Sequence, residues 1–157
     1  MPAVTCVVRD FRSGDEQAAR RLVLDGLGER FGFIDALLNP DFRTITAHYP
    51  QRGHVFLVAE SAGRLVGTTG LVFESGRAAR VVRVSVHSSE RRRGVARTLL
   101  PCAARRASAR GAEELRVATE PEWEDAVAFY RSEGFVPYDH DPVDVHMRRP
   151  LGARRRP

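Results

Sequence analysis

The stretch with the most chemical content is Val84-Ser85-Val86, then His87 to Glu90, then Arg91-Arg92-Arg93-Gly94-Val95-Ala96-Arg97. Val82, Val84 and Val86 alternate with Arg83, Ser85 and His87, the period of a half-buried strand. Past the arginines, Val95, Leu99 and Ala103 recur at four-residue spacing, the period of a helix. A strand therefore ends, a basic loop turns, and a helix starts at Gly94 or just before it. Gly94 and Ala96 leave the backbone uncovered, so an anion can approach the amides. The first turn of a helix carries unpaired N–H groups and a partial positive charge. Arginines beside it add charge that does not titrate and forks that match phosphate oxygens. The chemistry implied is the binding of a phosphate or pyrophosphate at a strand-loop-helix turn. The nucleoside-triphosphate loop is excluded, since it wants two glycines five apart followed by Lys and Ser or Thr. The dinucleotide fingerprint is excluded too, because it needs three glycines.

Other chemistries find no support. No grouping of His, Cys and carboxylates has metal-ligand spacing. No Ser or Cys sits in a nucleophile-elbow motif, so a covalent enzyme intermediate is not suggested. His48, His54, His140 and His146 read as surface histidines, and His87 as a loop residue rather than a base.

These residues must be positioned by one domain. The chain has 157 residues, 43% hydrophobic and 29% charged, which fits one globular domain over residues 1–150 with a basic, disordered tail at 151–157. The longest apolar run, Val55-Phe56-Leu57-Val58-Ala59, is far short of the roughly 20 residues that span a bilayer. The start of the chain shows no basic segment followed by a long apolar one, which argues against a secretory signal. Cys6 and Cys102 suit reduced thiols in a cytoplasmic protein. The net charge is +5, and all 25 basic residues are Arg. Such charge raises a nucleic-acid reading, but the 8% of aromatic residues do not interleave with a basic stripe.

The elements follow from period and punctuation. Residues 5–9 suit a strand. Ser13 and Glu16 read as a capping box for an amphipathic helix ending near Gly28. Phe31-Gly32-Phe33-Ile34 reads as an apolar loop, and Asn39-Pro40 as the start of a second helix closed by Pro50 and Gly53. Strands at 55–60 and 65–73 flank an Ala62-Gly63 turn, and Ser75-Gly76 leads into the strand ending at Val86. The helix after Gly94 runs to about Arg110, with Gly111 as its stop and a kink expected at Pro101. Leu115 and Val117 mark another strand. Thr119 and Glu122 read as a capping box for a helix through Ser132, ended by Gly134. Strands at 135–138 and 143–147 close the chain. Three consecutive strands should be antiparallel neighbours, and the passage from Val81 to Val117 needs a parallel crossover. An α/β mixed sheet covered by helices on both faces follows.

Two segments carry a family resemblance. Arg91-Arg92-Arg93-Gly94-Val95-Ala96 resembles the acetyl-CoA signature of the GCN5-related N-acetyltransferase (GNAT) family: Gln or Arg, two residues, Gly, one residue, Gly or Ala. Ala126-Val127-Ala128-Phe129-Tyr130-Arg131-Ser132-Glu133-Gly134-Phe135 resembles its Ala-x-x-Phe-Tyr-x-x-x-Gly-Phe segment. The order of elements matches from Thr5 to Met147. The resemblance implies a central mixed sheet of about six or seven strands flanked by about four helices.

It also implies acetyl-CoA as donor cosubstrate, no metal, and direct transfer of the acetyl group to a primary amine. Val84, Ser85 and Val86 would pair with the pantetheine arm, as an added strand pairs with a free edge. Amides from Arg92 to Arg97 would hold the pyrophosphate, and one or two of Arg91, Arg92 and Arg93 would reach it by side chain. Tyr130 matches the tyrosine that protonates the departing thiolate, and the Val86 N–H would meet the oxyanion. Phe129 reads as core. The family often has Asn where this chain has Trp123, which cannot accept a hydrogen bond. That departure motivates an alternative, a catalytically silent acyl-CoA-binding module. Glu74, Glu120 or water would serve as general base. Asp35 and Asp41, in the region expected to set acceptor specificity, would suit a cationic amine. The family also brings a homodimer into consideration, though no interface is legible. No membrane partner is implied.

Overall fold

The computed structural model describes residues 5–31, 44–75 and 77–152, with the backbone alone over 27–31. The elements are β1 (Val7–Asp10), α1 (Glu16–Phe31), α2 (Ile45–His48), β2 (Val55–Ser61), β3 (Arg64–Glu74), β4 (Ala78–Val86), α3 (Val95–Ala109), β5 (Glu114–Thr119), α4 (Glu124–Ser132), β6 (Val136–His140) and β7 (Val145–Pro150). They form one seven-stranded sheet in the order β1-β2-β3-β4-β5-β7-β6. Strands β1 to β4 are antiparallel neighbours. The β4-α3-β5 crossover makes the parallel pair β4·β5, and β5, β7 and β6 pair antiparallel. This is the mixed α/β architecture expected from the sequence.

Both sheet faces bury apolar side chains because the alternation in β2, β3 and β4 is apolar on each side. Val23, Ile45, Tyr49, Phe56 and Val58 pack under α1 and α2 on one face. Val66, Leu71, Val81, Val95, Leu99, Leu115, Tyr130, Phe135 and Met147 pack under α3 and α4 on the other. Ala62 and Gly63 take left-handed φ of 50° and 77°, the twist a two-residue hairpin needs between β2 and β3.

Local punctuation differs from expectation at several places. Ser13 and Glu16 do not form a capping box. The Asp15 carboxylate accepts the Arg12 N–H at 2.8 Å, and Glu16 reaches across to accept the N–H groups of Ile45 (3.0 Å) and Thr46 (3.2 Å). Glu16 therefore caps α2 in space rather than α1 in sequence. Helix α1 continues past Gly26 and Gly28 to Phe31, since glycine lowers helix propensity without by itself ending a helix. Thr119 is the last residue of β5, not a cap; Trp123 is the N-cap of α4 and gives it no side-chain hydrogen bond. Pro101 sits inside α3, which is helical on both sides of it. Phe33, Ile34, Asp35, Asn39, Pro40 and Asp41 lie outside the described residues.

Candidate active site

The pairing of β4 with β5 lasts for three residues only: Ala78↔Glu114, Ala79↔Leu115 and Arg80↔Arg116. Beyond Arg80 the two strands separate. The cause lies in β4. Its register with β3 shifts between Thr68 and Gly70, so that Arg83 and Val84 share the span facing Thr69. Such a bulge bends its strand and raises the local twist. Arg83 takes a φ of +54°, a conformation that costs a non-glycine residue about 1 kcal/mol. Thr68 steadies it by donating its hydroxyl to the Arg83 carbonyl at 2.9 Å.

The orientation of the main chain past the bulge follows from one bond. The His87 N–H donates to the Val66 carbonyl at 2.8 Å. In an antiparallel ladder, bonded and non-bonded pairs alternate. The next pair, Val86↔Gly67, is therefore the non-bonded kind, and the Val86 N–H and C=O turn away from β3, toward the opening beside β5. Ser85, opposite Thr68, turns its main-chain groups to β3 instead.

The arginine loop reaches the same opening. Ser88–Glu90 is a single tight turn. Arg92 (φ 60°) and Gly94 (φ 87°) then bring the chain into α3 through two left-handed residues. The first amide-to-carbonyl bond at the head of α3 runs from Thr98 to Gly94, at 3.1 Å. By helix geometry the N–H groups of Val95, Ala96 and Arg97 have no intrahelical acceptor. Helix α3 lies close on the sheet because Gly67 faces it: a Cβ there would come within 2.6 Å of a Val95 methyl.

Glu90 is the anchor of the loop. It is 9% exposed, and its two carboxylate oxygens accept from Arg64 and from Arg93, each at 2.8 Å. Nothing in the sequence signals this buried acid, since its partners sit three and twenty-six residues away. The three consecutive arginines are thus not equivalent. Arg93 is tied to Glu90, while the Arg91 Nε lies 3.4 Å from the Val86 carbonyl. Arg97 pairs with Glu133 at 2.7 Å.

One cleft of about 1840 Å³ gathers these parts. It is lined by Val84, Ser85, Val86, Arg91, Arg92, Arg93, Gly94, Val95, Ala96, Arg97 and Tyr130, the residues that the resemblance suggested for binding acetyl-CoA and protonating its thiolate. Tyr130 is 7% exposed and packs edge-on to Phe129 and Phe135, with centroids 5.3 and 5.4 Å away. It is at once a core residue and a wall of the cleft. Phe129, expected in the core, is half-buried and lines the cleft as well. Trp123 and Glu120 line it too, joined by a Trp123 N–H to Glu120 carbonyl bond of 3.0 Å. Glu74 does not line it; its carboxylate holds Arg80 with bonds of 3.1 and 3.2 Å.

Two histidines expected at the surface are also in the cleft wall, His48 and His54, both half-buried. The His54 Nδ1 accepts the Phe73 N–H at 3.1 Å, which fixes the ring proton on Nε2 of the neutral form. Burial, then the nearby charges of Arg110 and Arg52, hold His54 below the usual histidine range. Their sequence neighbours gave no hint, because tertiary packing of α2 and β2 brings them in. Among the described residues no group of three His, Cys or carboxylate side chains could hold a metal. None of the described helices is long and apolar enough to cross a membrane.

A mixed sheet whose parallel pair opens beside a helix N-terminus is the arrangement that the GNAT resemblance implies. Comparisons with known proteins agree. Residues 52–137, more than half of the chain, match the family model described as an acetyltransferase (GNAT) domain. A curated relative, N-acetyltransferase 8 of Rattus norvegicus, is 34% identical over 119 residues, covering 72% of this chain. The match covers 54% of that relative, so this chain spans about half its length. Among solved structures, a GNAT-family acetyltransferase from Staphylococcus aureus Mu50 superposes with a TM-score of 0.83 at 19% identity, covering 94% of this chain and all of that one. The PaiA N-acetyltransferase from Thermoplasma acidophilum, solved in complex with coenzyme A, gives 0.80 at 16% identity, covering 94% and 99%. The chain belongs to the GNAT acetyltransferase family.

Proposed function

We propose that this protein is an N-acetyltransferase that takes the acetyl group of acetyl-CoA and passes it directly to a primary amine. The observation that carries the proposal is the parting of β4 from β5 beyond Arg80, with the head of α3 and Tyr130 on the same cleft. The pantetheine arm would occupy the opening and pair with the outward N–H and C=O of Val86, while Val84 and Ser85 line its path. The amides of Arg92 to Arg97 would hold the pyrophosphate, and Arg91 or Arg92 would add a side-chain contact, Arg93 being held by Glu90.

The chemistry then uses few groups. The amine nitrogen bonds to the thioester carbonyl carbon, and the carbonyl oxygen becomes an oxyanion that the Val86 N–H stabilises. The carbon–sulfur bond breaks as the oxyanion collapses. The Tyr130 hydroxyl gives its proton to the leaving thiolate. The amine proton leaves to Glu120 or to water; Glu74 is the weaker candidate because Arg80 holds it outside the cleft. A cytoplasmic setting suits the two unbridged thiols, Cys6 and Cys102.

Tyr130→Phe tests the proposal. Turnover should drop on the order of tenfold or more, at the low end for general acid catalysis because a thiolate leaves readily. Acetyl-CoA affinity should stay near that of the wild type. Unchanged turnover would remove Tyr130 from the mechanism. The second reading, a silent acyl-CoA-binding module, is favoured only by Trp123 standing in the cleft wall. Tight CoA binding with no acetylated product across a broad amine set would select it.

A further inference from the structure

The two walls of the cleft carry opposite charge. On the side built by α1, α2 and β2 to β4, the lining includes Arg52, Arg80 and Arg83, and no carboxylate among the described residues. Arg52 follows α2 in the turn Pro50–Arg52, is exposed, and forms no ion pair with a described residue. Arg83 lines the cleft from the strained apex of the β4 bulge. His48 adds a buried Nδ1 that has no hydrogen-bond partner among the described residues. Across the opening, Glu120, Asp125 and Asp144 line the wall formed by the end of β5, α4 and the approach to β7. Apolar groups separate the cations: Val23, Tyr49, Val72 and Val82 share the α1–α2 wall.

From this geometry we infer that the acceptor is an amine that also bears an anionic group, a carboxylate or a phosphate, on an apolar body. The inference rests on the transferase reading and deepens it. The arginines would take the anion in charge-assisted bonds, which are stronger than neutral ones. The apolar residues would cover the body, and the acidic wall would receive the amine end, where a base must take its proton. Left-handed backbone at a bulky residue is the kind of strain that collects at binding sites. Asp35 and Asp41, which would favour a cationic acceptor, lie outside the described residues. Arg80 is already held by Glu74.

The test is calorimetric titration of matched amines into the CoA-saturated protein, with acetyl transfer followed by thiol release. The arms are phenylalanine (carboxylate), tyramine phosphate (phosphate), phenethylamine (no anion) and spermidine (cationic). The variants are Arg52→Gln and Arg83→Asn, Asn being chosen because it tolerates a left-handed φ. At least one anionic arm should bind and react roughly tenfold or more better than phenethylamine, the scale of one charge-assisted bond. Which of the two does so tells carboxylate from phosphate. In each variant the ratio should fall well below its wild-type value, and because the same pair of amines is compared in both proteins their different basicities cancel. Equal or better use of phenethylamine or spermidine would overturn the inference while leaving the transferase reading intact. A preference that survives both substitutions would overturn it too, as would CoA binding with no amine bound. Failure of CoA itself to bind would sink the transferase reading and this inference with it.

Discussion

Gly67 is where the fold and the site depend on the same missing side chain. A Cβ placed on it would lie 2.6 Å from Val95 Cγ1, 2.9 Å from Leu99 Cδ1 and 3.3 Å from the Ser85 carbonyl oxygen. Carbon atoms in good contact stand about 3.5–4.0 Å apart, so Gly67→Ala needs roughly 1 Å more room at Val95. The neighbours cannot turn aside. Val95 and Leu99 are each 1% exposed, and a helical valine has one strongly preferred rotamer. The first turn of α3 must therefore move off the sheet, or β3 must shift against β4. Overpacking of this kind costs about 1–3 kcal/mol. For a chain of this size each kcal/mol lowers Tm by about 2–4 °C, so a fall of roughly 2–12 °C is expected. The head of α3 moves with Val95, so CoA affinity should fall as well. Thermal unfolding and calorimetry read the two effects, with Gly14→Ala as control, since a Cβ at Gly14 meets nothing within 4 Å. Wild-type Tm together with wild-type CoA affinity in Gly67→Ala would refute the claim that close approach at Gly67 sets the position of α3.

Three further outcomes are expected. Glu90→Gln should lower stability by about 1–3 kcal/mol, since Arg64 and Arg93 both lose their counter-charge and one of them meets an amide donor, and should weaken CoA binding by loosening the loop; chemical denaturation and calorimetry check it, and an unchanged midpoint would contradict the anchoring role. Asp15 is held below the usual carboxylate range first by its bond to Arg9 and also by the Arg12 N–H. Its stabilisation is full above the ordinary value of 3.8 and is lost as pH falls through the lowered one, so Asp15→Asn should flatten the acid limb of the stability curve. His54 should titrate below 6.5 by NMR, for burial lowers it and Arg110 and Arg52 repel its charged form. Its contribution is full above 6.5 and fades as pH falls toward the depressed midpoint; a midpoint above 6.5 would mean that the ring is not held neutral by the Phe73 bond.

What the sequence made legible was periodic or local. Alternation of Val82, Val84 and Val86 with polar residues announced β4, and the four-residue recurrence of Val95, Leu99 and Ala103 announced α3. Between them, Gly94 marked the helix start that the backbone confirms with a φ of 87°. Features set by partners distant in sequence stayed hidden. Glu16 reads as a local cap but caps α2, twenty-nine residues on. The bulge that parts β4 from β5 is centred on Arg83, a residue type that carries no signal for left-handed backbone. Glu90 looks like one more loop acid until Arg64 and Arg93 close on it. His48 and His54 enter the cleft only through the packing of α2 and the start of β2. Gly67 was passed over in the sequence, although a glycine inside a strand can mark a close approach; here the approach is that of α3.

The central claim is that an acyl-CoA sits in the opening between β4 and β5, its pyrophosphate at the head of α3. Calorimetric titration with acetyl-CoA and CoA, with ATP as control, tests it most directly. Saturable one-to-one binding of both CoA species is expected, with much weaker binding of ATP, which has the phosphates but no pantetheine arm. ATP binding as tightly as CoA, or no CoA binding at all, would contradict it.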